Sequence, residues 1–455
     1  MGLVRVLANY VVETDFVKFP PEVVEQAKKC LLDCLGNILG GRYTNKGEAI
    51  VKYALQWNNS AEVTVIGTGK VAKEAAAFAN AAMCRVLDLD EGHRFAMGHP
   101  GCVLIPAALA MGEYTGTGGA DVVEAIVAGY EVYVRIGTAI NPSSYVGKGF
   151  DTTGVCGAVA VAAVAAKLYK LDVEQTKDAL GIAALQAGGL IEYMSDGSAG
   201  KVLCPGWAVS TGIRAADLAK LGFTGPESIF EGNKGFLQAF ADQFDESRIS
   251  YGLGNGYGIL QNYFKIHACV RRLHPAIDAL LALRTKHQIN PGTVKKLSVR
   301  AGIFVSQANK PHPQTLVAAQ VSLPFVLAVA LKYGYVTEDS LLKSINDNEI
   351  SKIEEKVRII EDPKVEEYAA SNPSKWGAVD LEVITTAGEK FREWVPLALG
   401  EPEMPLSWEK LQEKFRYLVA STKFATLTKE MINSIEQFDN YSTISEFMEI
   451  FKRID

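Results

Sequence analysis

The chain has 455 residues, 48% hydrophobic and 22% charged, with 46 Lys and Arg against 52 Asp and Glu for a formal net charge of −6. That is the composition of a folded chain with room for two or three domains. Without a basic excess to neutralise phosphates, it excludes a general nucleic-acid role and gives no attraction to anionic membrane surfaces. The seven cysteines form no CxxC pair and no zinc-finger spacing, so the thiols are expected to be reduced and the protein cytoplasmic. The first twenty residues lack the apolar core and small-residue cleavage site of a signal peptide. The longest weakly polar run, Gly154 to Ala166, is stopped by Lys167, short of the ~20 residues that span a bilayer.

Residues Pro21 to Gly40 place Val24, Ala27, Cys30, Leu31, Cys34, Leu35 and Ile38 at three- and four-residue steps, which predicts an amphipathic helix opened by prolines. Five alanine-rich segments near 72–87, 101–114, 120–138, 153–170 and 173–187 predict further helices, the last capped by Asp172. Glu62 to Ile66 alone reads as a strand there. The glycine cluster Tyr251–Gly258 cannot hold a helix and reads as a flexible join. Beyond it, Val294–Ser306 and Ala378–Glu393 alternate as strands around an apolar helix, Ala318–Tyr333, and a charged stretch, Lys343–Glu367. Residues Ser407–Asp455 return to helical periodicity. The expected fold is mainly α with an α+β part. Residues 1–262 and 397–455 form a large helical domain from both chain ends, and 263–396 form a smaller inserted α+β domain.

The densest set of reactive groups is Asp88, Asp90, Glu91, His93 and Arg94, followed by His99, in a helix–loop–helix connection where side chains and terminal amides can face one cavity. His99 falls at the positive end of the next helix, a field that favours a neutral imidazole able to pass a proton. A solvated, capping acidic loop is the plainer reading. Asp88, Asp90, His93 and His99 are all possible metal ligands, but their spacing fits no pattern well: the sixth position from Asp88 is His93 rather than the glycine of an EF-hand, and no HExxH helix is present. Residues 196–201 end in Gly-Lys, but Ser195 and Val202 break the phosphate-loop pattern. Asp151 can cap the helix after it or project a carboxylate. Lys201 precedes a helix start and can meet an anionic ligand together with free amides. Lys265, His267, Arg271, Arg272 and His274 add cationic groups at the entrance to the inserted domain.

Seven separated segments, in this order, resemble the MmgE/PrpD family of 2-methylcitrate dehydratase, cis-aconitate decarboxylase and iminodisuccinate epimerase. They are LLDCLGNILGG at 31–41, DLDEGHR with HPG at 88–101, AIVAGYEVYVRIG at 125–137, GFDTTGVCG at 149–157, GKVLCPGWA at 200–208, KIHACVRRLHPAID at 265–278 and AAQVSLPF at 318–325. The resemblance implies a helical domain from both termini, an inserted lid domain, a homodimer, and chemistry without metal or organic cofactor. By position it implies Asp88, His99 and Lys201 as catalytic groups and Lys265 as a site cation. Asp151 stands where many relatives carry a histidine, Cys204 where others carry a second, Gly92 at a common threonine position and Phe325 at a frequent tyrosine position.

The chemistry this implies is removal of a proton α to a carboxylate of a small di- or tricarboxylate. That step needs a base and cations to hold the developing charge. Asp88, His99, Asp151 and Lys201 are the expected catalytic residues, with Gly92, His93, Arg94, Lys265, Arg271 and Phe325 lining the substrate. Elimination of water makes the protein a hydro-lyase; return of the proton makes it an epimerase, and loss of CO2 a decarboxylase. A metal-dependent hydrolase using the Asp/His cluster and a silent binding protein are the readings from other classes.

Overall fold

The computed structural model describes residues 2–57 and 60–452. The chain folds into two compact units: residues 1–191, 200–263 and 407–455 form the first, and 192–199 with 264–406 the second. Residues 192–199 and 397–406, which composition alone groups with the helical part, belong to the second unit.

The first unit is helical because many of its segments carry alanine and other apolar residues at their buried positions. Helix Thr152–Leu168 is buried along nearly its whole length and packs against helices Gly101–Thr115, Gly119–Ile140, Val173–Leu185 and Cys204–Lys220. The close approach has a steric cause. A Cβ at Gly212 would stand 2.6 Å from the Ala158 carbonyl oxygen and the Val161 side chain, so only glycine lets these two backbones touch. Asp172 caps helix Val173–Leu185 by accepting from the Gln175 amide at 2.9 Å. Strand β1 (Val63–Val65) pairs antiparallel with β2 (Gly69–Val71), and β3 (Gly92–His93) pairs antiparallel with β4 (Asn262–Tyr263). Among the described residues no helix is long and apolar enough to cross a membrane.

The glycine cluster is not the join between units. The Arg135 guanidinium donates to the carbonyls of Arg248 (3.1 Å) and Tyr251 (2.9 Å), and the Gly258 amide donates to Glu131 Oε2 at 2.8 Å. These bonds tie 248–258 to helix Gly119–Ile140. The division falls instead between Tyr263 and Phe264.

The second unit holds a four-stranded sheet of order β6–β5–β7–β8, made of β5 (Val294–Ala301), β6 (Val357–Glu361), β7 (Val379–Thr385) and β8 (Lys390–Val395). β5 pairs parallel with β6 and antiparallel with β7, and β7 and β8 form a hairpin. Helix His274–Lys286 packs on β7 and β8, and helix Leu323–Tyr333 packs on that helix. Three expectations need correction here. The β-rich run at 294–306 stops at Ala301, because Gly302 leads into a helical turn, Ile303–Ser306, whose first amide donates to Glu366 Oε2 at 2.7 Å. The apolar helix at 318–333 is two helices, Leu316–Gln320 and Leu323–Tyr333. Pro324 cannot donate back to residue 320, so Ser322 restarts the helix by capping the Phe325 amide. The charged stretch 343–367 hides β6.

Candidate functional site

Helix Lys73–Arg85 ends on a buried arginine, and the chain then turns through Asp88 at φ +55°. That left-handed conformation is uncommon for a residue with a Cβ and has to be held by its surroundings. The loop returns at β3, where the His93 amide donates to the Gly98 carbonyl at 2.9 Å, and passes into helix Gly101–Thr115. Its far end is fixed by the first turn of helix Thr152–Leu168. There, Thr152 Oγ1 donates to the Met97 carbonyl at 2.5 Å, and Thr153 Oγ1 accepts from the His99 amide at 3.3 Å.

These backbone restraints bring five side chains into one series. Lys201 Nζ lies 3.1 Å from Asp88 Oδ2, Arg85 Nη1 donates to Asp88 Oδ1 at 2.6 Å and to Asp90 Oδ1 at 2.8 Å, and His99 Nδ1 lies 3.2 Å from Asp90 Oδ2. The two acids and two permanent cations are at most 6% exposed, and the His99 side chain is 13% exposed. Buried charges are tolerable only when opposite signs alternate at hydrogen-bond range, as they do here. His99 Nδ1 also stands 2.8 Å from the Glu91 carbonyl. A carbonyl only accepts, so the hydrogen-bond network assigns the proton to Nδ1 and leaves the neutral ring's lone pair on Nε2. An imidazole is thus oriented by a carboxylate and a carbonyl, at the end of a series that carries an ammonium at its other end.

The remaining acid and imidazole of the loop are held by other partners. Glu91 Oε1 accepts from Tyr130 Oη at 2.9 Å and from the Gly101 amide. Burial pushes its carboxyl well above the usual carboxylate range, against the opposing pull of Tyr130. His93 Nδ1 accepts from the Ala96 amide at 3.1 Å, and burial, helped by the charge of Arg94, pushes the ring down to about 3, so it is neutral. Gly92 presents no side chain: a Cβ there would lie 2.4 Å from Tyr263 Oη, so the tyrosine fills the space a larger residue would take. The Arg94 guanidinium lies 4.8 Å from the Phe95 ring centroid and reaches Gln261 Oε1 at 3.5 Å.

Asp151 caps helix Thr152–Leu168, accepting from the Thr153 amide at 3.0 Å. The Cys204 thiol is hydrogen-bonded to its carboxylate, and burial together with Asp151 raises the thiol well above its ordinary value, so it stays protonated. A Cβ at Gly154 would lie 2.7 Å from Cys204 Sγ. The two positions where the sequence departs from a histidine are therefore in contact. Thr153 links this pair to the series above, through its amide to Asp151 and its hydroxyl to His99.

Three expected site residues lie in the second unit. Lys265 is buried. The Arg271 guanidinium is engaged inside that unit: Nε donates to Glu401 at 2.8 Å, and the terminal nitrogens donate to the Leu399 carbonyl at 3.1 and 3.2 Å. Phe325 sits at 2% exposure in helix Leu323–Tyr333, where it fills core. Among the described residues no group of three or more His, Cys, Asp and Glu side chains is arranged to hold a metal ion. Sequence reasoning places Asp90 among the reactive groups of the loop but does not single out Arg85. The available signal is an arginine closing an alanine-rich helix three and five residues before two aspartates, the spacing that lets one guanidinium reach both.

Residues 5–248 match the MmgE/PrpD N-terminal domain and 267–439 the MmgE/PrpD C-terminal domain. The chain belongs to the MmgE/PrpD family. Among curated proteins it is similar to the cis-aconitate decarboxylase-like protein oryM of Aspergillus oryzae, 26% identical across 97% of this chain and 95% of that one. It is 28% identical to cis-aconitate decarboxylase of Aspergillus terreus, over 95% of this chain and 92% of that one. The mouse cis-aconitate decarboxylase is 25% identical, over 94% and 89% respectively.

Proposed function

We propose that this protein is a cofactor-independent lyase that removes a proton α to a carboxylate of a small di- or tricarboxylate and eliminates water. The observation that carries the reading is the buried series Lys201–Asp88–Arg85–Asp90–His99, which ends in an imidazole with its lone pair on Nε2. His99 Nε2 takes the α-proton, and the C–H electron pair passes into an enediolate whose charge Lys201 holds. As the C–O bond breaks, the imidazolium gives the same proton to the leaving hydroxyl. Water departs and His99 returns to its starting state. Asp88 keeps Lys201 in place, Asp151 with its Cys204 partner is a second proton carrier, and Lys265 is retained as a carboxylate-binding cation. The homodimer belongs to the same reading; light scattering is expected to give twice the chain's mass, and the mass of a single chain would remove the dimer from it.

A second reading is decarboxylation, favoured by the names of the relatives that match over nine-tenths of this chain. Here His99 starts as the imidazolium, protonated from solvent; loss of CO2 leaves a carbanion that takes its Nε2 proton, and water reprotonates the ring. Incubation with 2-methylcitrate, citrate, cis-aconitate and iminodisuccinate in deuterated water, followed by NMR, separates the outcomes. Elimination gives an alkene, and decarboxylation gives CO2 with one deuterium at the former carboxyl-bearing carbon. Epimerisation gives α-deuteration with inversion and no mass lost. Failure to turn over or deuterate any of the four would sink the polycarboxylate reading.

A further inference from the structure

The Glu91 carbonyl is the hydrogen-bond partner of His99 Nδ1 at 2.8 Å, and Asp90 Oδ2 lies 3.2 Å from the same nitrogen. The orientation of residues 90 and 91 therefore sets which ring nitrogen of His99 carries the proton. What holds these two residues comes from two remote parts of the chain. Asp33, on helix Pro21–Arg42, accepts the Glu91 amide on Oδ2 at 3.0 Å. Lys414, on helix Trp408–Val419, forms an ion pair with Asp33 Oδ1 and donates to the Leu89 carbonyl at 2.6 Å. The Leu89 carbonyl belongs to the peptide before Asp90 and the Glu91 amide to the peptide after it. One ion pair thus grips both peptide groups flanking Asp90. It is closed to water, with side-chain exposures of 7% for Lys414 and none for Asp33, and Asn37 Nδ2 braces Asp33 Oδ2 at 3.2 Å. Of the two contacts of this half-buried lysine, one is to the loop's Leu89 carbonyl and the other to the aspartate that holds the Glu91 amide.

We propose that Asp33 and Lys414 are positioning residues that fix the Nδ1–H tautomer of His99 by clamping the backbone on either side of Asp90. Neither touches His99 or the series Lys201–Asp88–Arg85; they act through the Leu89–Glu91 backbone. The inference rests on the reading of His99 as the proton carrier, but its first test does not need turnover. The full-length protein is labelled with ¹⁵N-histidine, and His99 is assigned by its loss in His99→Asn. Its tautomer is then read from long-range ¹H–¹⁵N correlations. The wild type is expected to show Nδ1–H. Lys414→Met and Asp33→Asn are each expected to shift His99 to a mixture or to Nε2–H, while Lys414→Arg, which can still reach both acceptors, keeps Nδ1–H. With whichever polycarboxylate is turned over, kcat should fall at least ~10-fold in Lys414→Met with KM within about twofold, the pattern of an interaction felt in the transition state. If Lys414→Met does not fold, Lys414→Gln, which keeps a donor for only one acceptor, gives the same readout. An unchanged Nδ1–H signal in a folded Lys414→Met or Asp33→Asn protein overturns the proposal. So does a wild-type ring protonated on Nε2. Absence of turnover with an Nδ1–H signal that responds to Lys414 counts against the proposed reaction and leaves the clamp standing.

Discussion

Around Arg85 the buried charges form a linear series, and around Arg271 they gather on a single hub. Both regions look alike in sequence: each gathers several cationic or acidic residues within a dozen positions. In the first unit Asp88, Arg85 and Asp90 are each shared between two neighbours, so the series runs on from an ammonium at Lys201 to an imidazole at His99. In the second unit Arg271 is met by Glu401 and the carbonyls of Phe264, Ala398 and Leu399, and His267 Nε2 by Asp278 at 3.0 Å. His274, 3.1 Å from Arg271, is pushed far down by burial and by that arginine. Density of charge therefore does not distinguish the two arrangements. What distinguishes them is whether the ion pairs connect groups able to carry protons or tie one cation to the backbone around it.

The comparison breaks most readily at Arg85, the middle of the series. Arg85→Met leaves Asp88 and Asp90 facing each other across a buried gap, which should cost about 3–5 kcal/mol, the usual range for removing one partner of a buried ion pair. Arg271→Met strands one carboxylate, Glu401, and should cost less than half of that. Urea unfolding of both variants checks the ratio. An equal or larger loss at Arg271 would mean that the hub cluster, not the series, carries the greater electrostatic load.

Function should divide the two regions in the same direction. Lys201→Ala is expected to lower kcat by ~100-fold or more with the far-ultraviolet spectrum intact, the order seen when a donor to developing negative charge is removed. Unaltered turnover with any accepted substrate would take Lys201 out of the mechanism.

A smaller effect tests the steric exchange beside the loop. Gly92→Ala forces a Cβ to within 2.4 Å of Tyr263 Oη and 2.6 Å of its Cζ, an overpacking cost of about 2 kcal/mol. Adding Tyr263→Ala should recover much of it, so the two changes are non-additive in a double-mutant cycle. Strict additivity would show that the tyrosine and the glycine are not exchanging space.

Much of this is legible in the sequence, for physical reasons that vary from element to element. Alanine-rich periodicity names the helices of the first unit because their burial is nearly complete, and the side-chain period survives that. The β7–β8 hairpin is readable from its alternation and turn. Strand β6 is not, because an edge strand with exposed charged positions, such as Arg358 and Glu361, alternates weakly and resembles the charged helices beside it. In the site, Asp88, His99 and Lys201 stand out as reactive types in loops. Arg85 does not, because a helix interior normally hides an arginine only in a structural pair. The Asp33–Lys414 clamp joins residues 381 positions apart, a separation across which no local pattern exists. The contact between Asp151 and Cys204 is also hidden, although each departure is visible alone.

The smallest expected effect bears on why Glu91, in the midst of the acids, is not one of the working charges. Burial raises its carboxyl well above 4.5, with Tyr130 pulling the other way. The folded state therefore holds a proton that the unfolded chain releases near the ordinary glutamate value. For a raised group, the stabilisation is complete below the unfolded value and is lost as pH rises toward the folded one. Between those limits stability falls with pH by about 1.4 kcal/mol per unit from this group alone. Glu91→Gln copies the neutral acid, keeping an oxygen for Tyr130 and the Gly101 amide, and carries no proton to lose. The variant should therefore show a flatter decline in unfolding free energy between about pH 5.5 and 7.5 than the wild type, with little difference at the acid end. Parallel slopes would mean that Glu91 is already ionised in the fold, and the loop would then hold three buried carboxylates rather than two, with Tyr130 as an anion-binding donor rather than a partner of a neutral acid.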